Sequence, residues 1–112
     1  MSIETNLAQF TGTEHYYKHF LGIVYTDGVN YLAEKAKAYW LIDVIASYQP
    51  QQKKVPFQLW EFKKTGDAGV VTMREDTGEP ELVRQEIEYT DFPLDEIKFY
   101  LIDGVLLLPS EY

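Results

Sequence analysis

Apolar side chains between Thr26 and Gln49 recur at intervals of three and four residues. Val29, Leu32, Ala33, Ala36, Trp40 and Val44 form one row, and Ala38, Leu41, Ile42, Ile45 and Tyr48 a second. Positions so spaced share a face of an α-helix. The early half is one-sided, with Glu34, Lys35 and Lys37 on its polar side. The late half is apolar nearly all round, the mark of a helix buried on more than one side. Thr26 or Asp27 can cap the start by accepting from free backbone N–H groups, and the Asp27 carboxylate suits the positive end of the helix dipole. Pro50 closes the stretch, because a proline drives the preceding residue out of helical angles. The pattern predicts one long helix over about 28–48.

After Pro50 and a polar connection the pattern shortens to alternation. In Val55–Lys64, Phe57 and Leu59 point one way and Trp60 and Phe62 the other; Val70–Glu75 sets Val71 and Met73 on one face. Leu82–Tyr89 alternates Val83, Ile87 and Tyr89 with Arg84, Glu86 and Glu88, as a half-buried strand does. Asp103-Gly104, flanked by Ile97–Ile102 and Val105–Pro109, predicts a tight hairpin with both turn residues at positive φ. That register sets Ile102 opposite Val105, Leu101 opposite Leu106 and Tyr100 opposite Leu107. Phe99, Leu101, Leu106 and Leu108 then share one face, and Tyr100, Ile102, Val105 and Leu107 the other. A hairpin apolar on both sides needs cover for the second, from the N-terminal segment or from another subunit. Upstream, Ser2–Gln9 reads as a short helix capped by Ser2, with Ile3, Leu7 and Phe10 on one face. Glu14–Phe20 is either a helical turn capped by Thr13 or an irregular aromatic segment, and Leu21–Tyr25 is extended. The expected class is α+β: one long helix and a short N-terminal helix packed on an antiparallel meander of four to five strands.

Composition narrows the setting. A chain of 112 residues is expected to be a single domain, 1–112. The absence of cysteine excludes a disulfide framework, a thiolate zinc site and a thiol nucleophile, and fits a reducing cytoplasm. MSIETNLAQF lacks the basic and apolar parts of a signal peptide, and no apolar run approaches the ~18 residues of a membrane span. The expectation is a cytoplasmic protein with no membrane partner. The net charge of −8 is uneven: residues 1–74 hold seven acids against eight Lys and Arg, whereas residues 75–112 hold eleven acids against Arg84 and Lys98. Direct nucleic-acid binding is therefore disfavoured, since phosphate contacts supply most of that affinity. A basic protein partner, or mimicry of nucleic-acid charge, stays open. Nine tyrosines in so short a chain suit protein interfaces.

Asp43 interrupts the apolar YWLIDVIAS and needs either water or a donor. It is the candidate for a pocket lined by Asp43, Trp40 and His15, in which His15 or His19 paired with Asp43 could act as a general base. His15 and His19 would share a helix face if that segment were helical, but Glu14 is the one further ligand at hand, so no metal or other cofactor is implied. Ser2, Ser47 and Ser110 lie near a terminus or a helix end without a nucleophile motif. Gly66–Gly69 joins two strands and precedes no helix, so it is not a phosphate loop. Tyr100, Ile102, Val105 and Leu107 are the candidate interface, for a homodimer or another protein. Three readings follow: a non-enzymatic protein-interaction module, a small enzyme or ligand-binding domain with its pocket beside Asp43, and an acidic mimic that binds a basic protein.

TGTEHYYKHF, YTDGVNYLAEKAKAYWLIDVIASYQ and IEYTDFPLDEIKFYLIDGVLLLPSEY together resemble a family of small uncharacterised bacterial and mobile-element proteins, a domain of unknown function. The resemblance implies a bacterial cytosolic or phage setting. It carries no activity and so assigns no functional residue.

Overall fold

The structure, a computed structural model, describes residues 3–52 and 54–112; the Ser2 cap lies outside them. The elements in order are α1 (Ile3–Leu7), β1 (Tyr16–Lys18), β2 (Val24–Thr26), α2 (Asp27–Ala36), α3 (Tyr39–Ser47), α4 (Gln49–Gln52), β3 (Phe57–Thr65), β4 (Ala68–Arg74), β5 (Val83–Ile87), β6 (Glu96–Ile102) and β7 (Val105–Leu107). A 3-10 turn, Pro109–Glu111, follows. The strands form one seven-stranded sheet in the order β1-β2-β7-β6-β3-β4-β5.

The class is α+β, as the patterning implies, but two parts of the expected architecture are corrected. The stretch 28–48 is not one helix. Lys37 sits in the left-handed region at φ 53° and ψ 46°. Its N–H bonds back to Glu34, and the Ala38 N–H bonds to Ala33 at 2.8 Å. This paired closure normally calls for glycine. The apolar spacing runs on across the break, so periodicity alone does not reveal it. Pro50 does not end the helical region either: it sits in the first turn of α4, where its missing N–H has no intrahelical partner to lose.

The second correction is the sheet. It has seven strands rather than four or five, because Glu14–Phe20 supplies β1 and Leu21–Tyr25 runs into β2. Nor is it a meander: β6 pairs with β3, not β5, and β2 joins β7 in parallel, Val24 with Val105 and Tyr25 with Leu106. The terminal hairpin keeps the expected register, with Asp103 at φ 49° and Gly104 at φ 83°.

α2 and α3 cover one face of the sheet. α2 buries Val29, Leu32, Ala33 and Ala36, and α3 buries Leu41, Ile42, Ile45 and Ala46. Beneath them lie Trp60, which is fully buried, and Phe62, Met73, Phe99, Leu101 and Leu106. Trp40 and Phe92 each meet the Phe62 ring edge-on, at 5.4 and 5.3 Å between centroids. Each such large side chain contributes roughly 1.5–3 kcal/mol on burial. One polar group enters this layer. Gln58 is buried, exchanges two amide hydrogen bonds with Gln49 at 3.0 Å each, and accepts from the Trp60 indole at 2.8 Å. Its amide N–H groups also reach the carbonyls of Gln52 and Val55. Among the described residues no buried side-chain nitrogen or oxygen lacks a partner.

Candidate functional site

Among the described residues no α-helix packs on the opposite face of the sheet. Strand alternation sends Phe57, Tyr100, Ile102, Val105 and Leu107 to that side, where register joins them: Phe57 with Ile102, Ile102 with Val105, Tyr100 with Leu107. All five are partly exposed. Tyr112 folds back over them, 6.1 Å from the Phe57 ring and 5.3 Å from the Tyr100 ring, and the two inner rings are 5.2 Å apart. The four residues expected to form an interface are thus brought together, and Phe57 and Tyr112 join them. Phe57 was missed because it lies far from the hairpin in sequence, although the two-sided apolar pattern of β3 was an available signal; Tyr112 was missed because the 3-10 turn Pro109–Glu111, which folds it back, was not foreseen. Among the described residues the N-terminal segment lies instead on the helical side, where Phe10 packs on Tyr31 of α2.

The same face changes character toward β4 and β5. Glu61 is buried, with Arg74 at 3.8 Å and Lys63 at 4.0 Å, and Lys98 sits opposite it in the register. Arg74 and Arg84 converge on Glu81, each at 3.2 Å. Charges of both signs neutralise one another across these strands.

A second polar cluster closes the start of α2. Thr26 caps the helix by accepting from the Val29 N–H. The Glu111 carboxylate, eighty-five residues away, accepts from the Thr26 hydroxyl at 2.6 Å, the Gly28 N–H at 3.1 Å and the Leu108 N–H at 2.9 Å. A negative charge held there meets free N–H groups and the positive helix end together. A Cβ at Gly28 would lie 2.7 Å from Glu111 Oε1 and from Leu108 Cδ1, so a larger residue here displaces those side-chain ends and disturbs the carboxylate's bonds. Asp27 serves the preceding loop, accepting from the backbone N–H groups of Glu14 (2.9 Å) and His15 (3.2 Å) and from the Tyr17 hydroxyl (3.0 Å). The Glu14 N–H above all, with the Tyr17 hydroxyl and the His15 N–H, holds the Asp27 carboxyl below the usual carboxylate range. The same bond to Asp27 pushes the Tyr17 hydroxyl up.

The residues proposed to line a pocket separate. His15 lies at the surface with Nδ1 3.5 Å from Asp27, while Trp40 packs on Phe62. Asp43 takes His19 instead. His19 is only 7 % exposed, and its Nε2 lies 2.7 Å from the carboxylate of Asp43, itself 58 % exposed. The Leu21 N–H donates to His19 Nδ1 at 3.0 Å. Nδ1 therefore carries no proton, and Nε2–H is the donor to Asp43. Both ring nitrogens are engaged, and the lone pair that a general base would offer is occupied by the backbone. As placed, the pair fastens the β1–β2 turn to α3.

These features define a small α+β protein: a twisted sheet with helices on one face and an apolar, aromatic patch on the other. The chain belongs to the family of unknown function DUF6876, whose model matches residues 1–112. Neither a curated protein nor a solved structure matches it. Among the described residues no helix is long and apolar enough to cross a membrane.

Proposed function

We propose that this protein is a non-enzymatic interaction module that offers the apolar half of its open sheet face to the surface of another protein. The observation that supports this is the continuity of Phe57, Tyr100, Ile102, Val105, Leu107 and Tyr112 on the side away from α2 and α3. Folding leaves these side chains partly wet, around a buried Leu59, whereas Trp60, Phe62, Phe99 and Leu101 on the other face are buried. Aromatic residues in such patches are the usual anchors of protein contacts.

Size sets the kind of contact. Three strands spaced about 4.8 Å apart, with one or two residues each, and the Tyr112 ring make a patch of a few hundred Å² at most. That matches the largest, often functional, patches on monomers. It falls short of the roughly 800 Å² per partner in a stable complex, so the contact is a transient one. The mixed charges beside it favour a protein surface over a uniform electrostatic mimic of nucleic acid.

A photoreactive side chain placed at Leu107, in the protein made by its native cell, tests the reading. One discrete heavier adduct, lost when Tyr100→Lys is added, is the expected result. An adduct of twice the chain mass would assign the face to self-association. No adduct, or a smear that Tyr100→Lys leaves unchanged, would overturn the proposal.

A further inference from the structure

The turn between β1 and β2 is built from residues that turns normally avoid. The His19 carbonyl accepts from the Gly22 N–H at 2.9 Å, so Phe20 and Leu21 occupy the two central positions. Glycine, proline, asparagine, aspartate and serine are usual there, each for a backbone reason that phenylalanine and leucine lack. Nor does burial account for them: Phe20 is 84 % exposed and Leu21 50 %.

The turn is nevertheless held firmly. The His19 N–H bonds to the Ile23 carbonyl at 2.8 Å, the Leu21 N–H bonds to His19 Nδ1, and His19 bonds to Asp43. The Phe20 ring stacks on the His19 ring at 4.5 Å between centroids. An aromatic side chain fixed in this way loses little freedom on binding, which is what an anchor residue needs.

Beside the turn lies a cleft of about 280 Å³, lined by Ile23, Val55, Pro56, Leu101 and the amides of Gln49 and Gln58, with Asp103 and Gly104 also on its wall. The amide N–H groups of both glutamines are spent on Ile45, Gln52, Val55 and each other. The cleft thus presents mainly apolar wall, with Asp103 beside it, and no free side-chain amide donor. An apolar cavity of about 150 Å³ is enough for a benzene ring.

We propose that two copies of this chain associate by reciprocal exchange, Phe20 of each entering the cleft beside Ile23 of the other. A knob and a hole set side by side on one surface are self-complementary about a two-fold axis. Ile23, three residues from Phe20, places them side by side. The charge of −8 on each copy opposes any approach, so association through this apolar contact strengthens as salt screens the repulsion.

Sedimentation of the full chain, from micromolar to near-millimolar concentration, tests this directly. The wild type should form dimers, more tightly at higher salt. Phe20→Ala should raise the dimer dissociation constant at least about tenfold with no loss of thermal stability, and Leu107→Lys should leave the dimer intact. A benzoylphenylalanine at position 20 should cross-link to residues 55–56 or 101–104 of the second copy. A wild type that stays monomeric throughout, a Phe20→Ala dimer as tight as the wild type, or a cross-link mapping elsewhere would each overturn the proposal.

Discussion

The two faces of this sheet are made by the same strands and serve different ends. On one, Trp60, Phe62, Phe99 and Leu101 are buried beneath α2 and α3, and even the Gln58 amide has all its partners. On the other, Tyr100, Ile102, Val105 and Leu107 remain half exposed beside charges that pair among themselves. The pairing is the instructive part. Where this face is polar it satisfies itself with Glu61, Arg74, Glu81 and Arg84; where it is apolar the Tyr112 ring lies across it. Stability is concentrated on the first face, and the proposed contact uses the second.

Substitutions on the two faces should separate accordingly. Trp60→Ala, on the covered face, is expected to cost about 3–5 kcal/mol. That is a large share of the stability of a small domain, so urea unfolding should show little folded protein. Glu111→Ala removes three hydrogen bonds from one carboxylate and should lower the unfolding free energy by about 2 kcal/mol, with the fold retained. Lys37→Gly should act in the opposite direction. Relief of a left-handed lysine is expected to stabilise by about 1 kcal/mol, whereas a glycine within a continuous helix would destabilise by about the same amount. The sign of that change therefore decides between a broken and an unbroken helix. Leu107→Lys, on the open face, should cost below about 1 kcal/mol; a loss as large as that of Trp60→Ala would mean the face is covered in solution.

The last expectation is a slope. The Asp27 carboxyl has a lowered folded pKa because it accepts first from the Glu14 N–H and also from Tyr17 and His15. Its contribution to stability is complete above the unfolded carboxylate value and is lost as pH falls through the lower folded value. Asp27→Asn should flatten the acid limb of a stability-against-pH curve by that contribution. An unchanged limb would show that the loop does not depend on the charge.

What could be read from the sequence was local. Asp103-Gly104 announces its own hairpin, and the alternation of Val83, Arg84, Gln85, Glu86 and Ile87 announces β5, because each signal lies within a few residues. The α2–α3 break could not be read, since Lys37 rather than glycine adopts the left-handed conformation. β1 and β2, at three residues each, are too short to show a period. The place of β2 depends on β7, about eighty residues later in the chain. A similar distance hid the Glu111 carboxylate from the start of α2, and a shorter but still long one hid Tyr112 from Phe57. Asp43 was marked as needing a donor, and His19 is that donor; the choice between His15 and His19 rests on β1 being a strand and His19 turning inward beneath Phe20.

The parallel pairing of β2 with β7 bears on the order of assembly. Val24 meets Val105, and Thr26 meets Glu111, across nearly the whole length of the chain. Contacts so far apart in sequence must overcome the entropy of closing a long loop before they yield anything, and they form late. The strands β3, β4 and β5, joined by short turns, are free to pair first. The elements synthesised earliest are then among the last to be seated: β1, β2 and the first turn of α2 wait for the C-terminal hairpin to reach them. In refolding followed by pulsed hydrogen exchange, the amides of Val24 and Gly28 should gain protection after those of Trp60 and Val71.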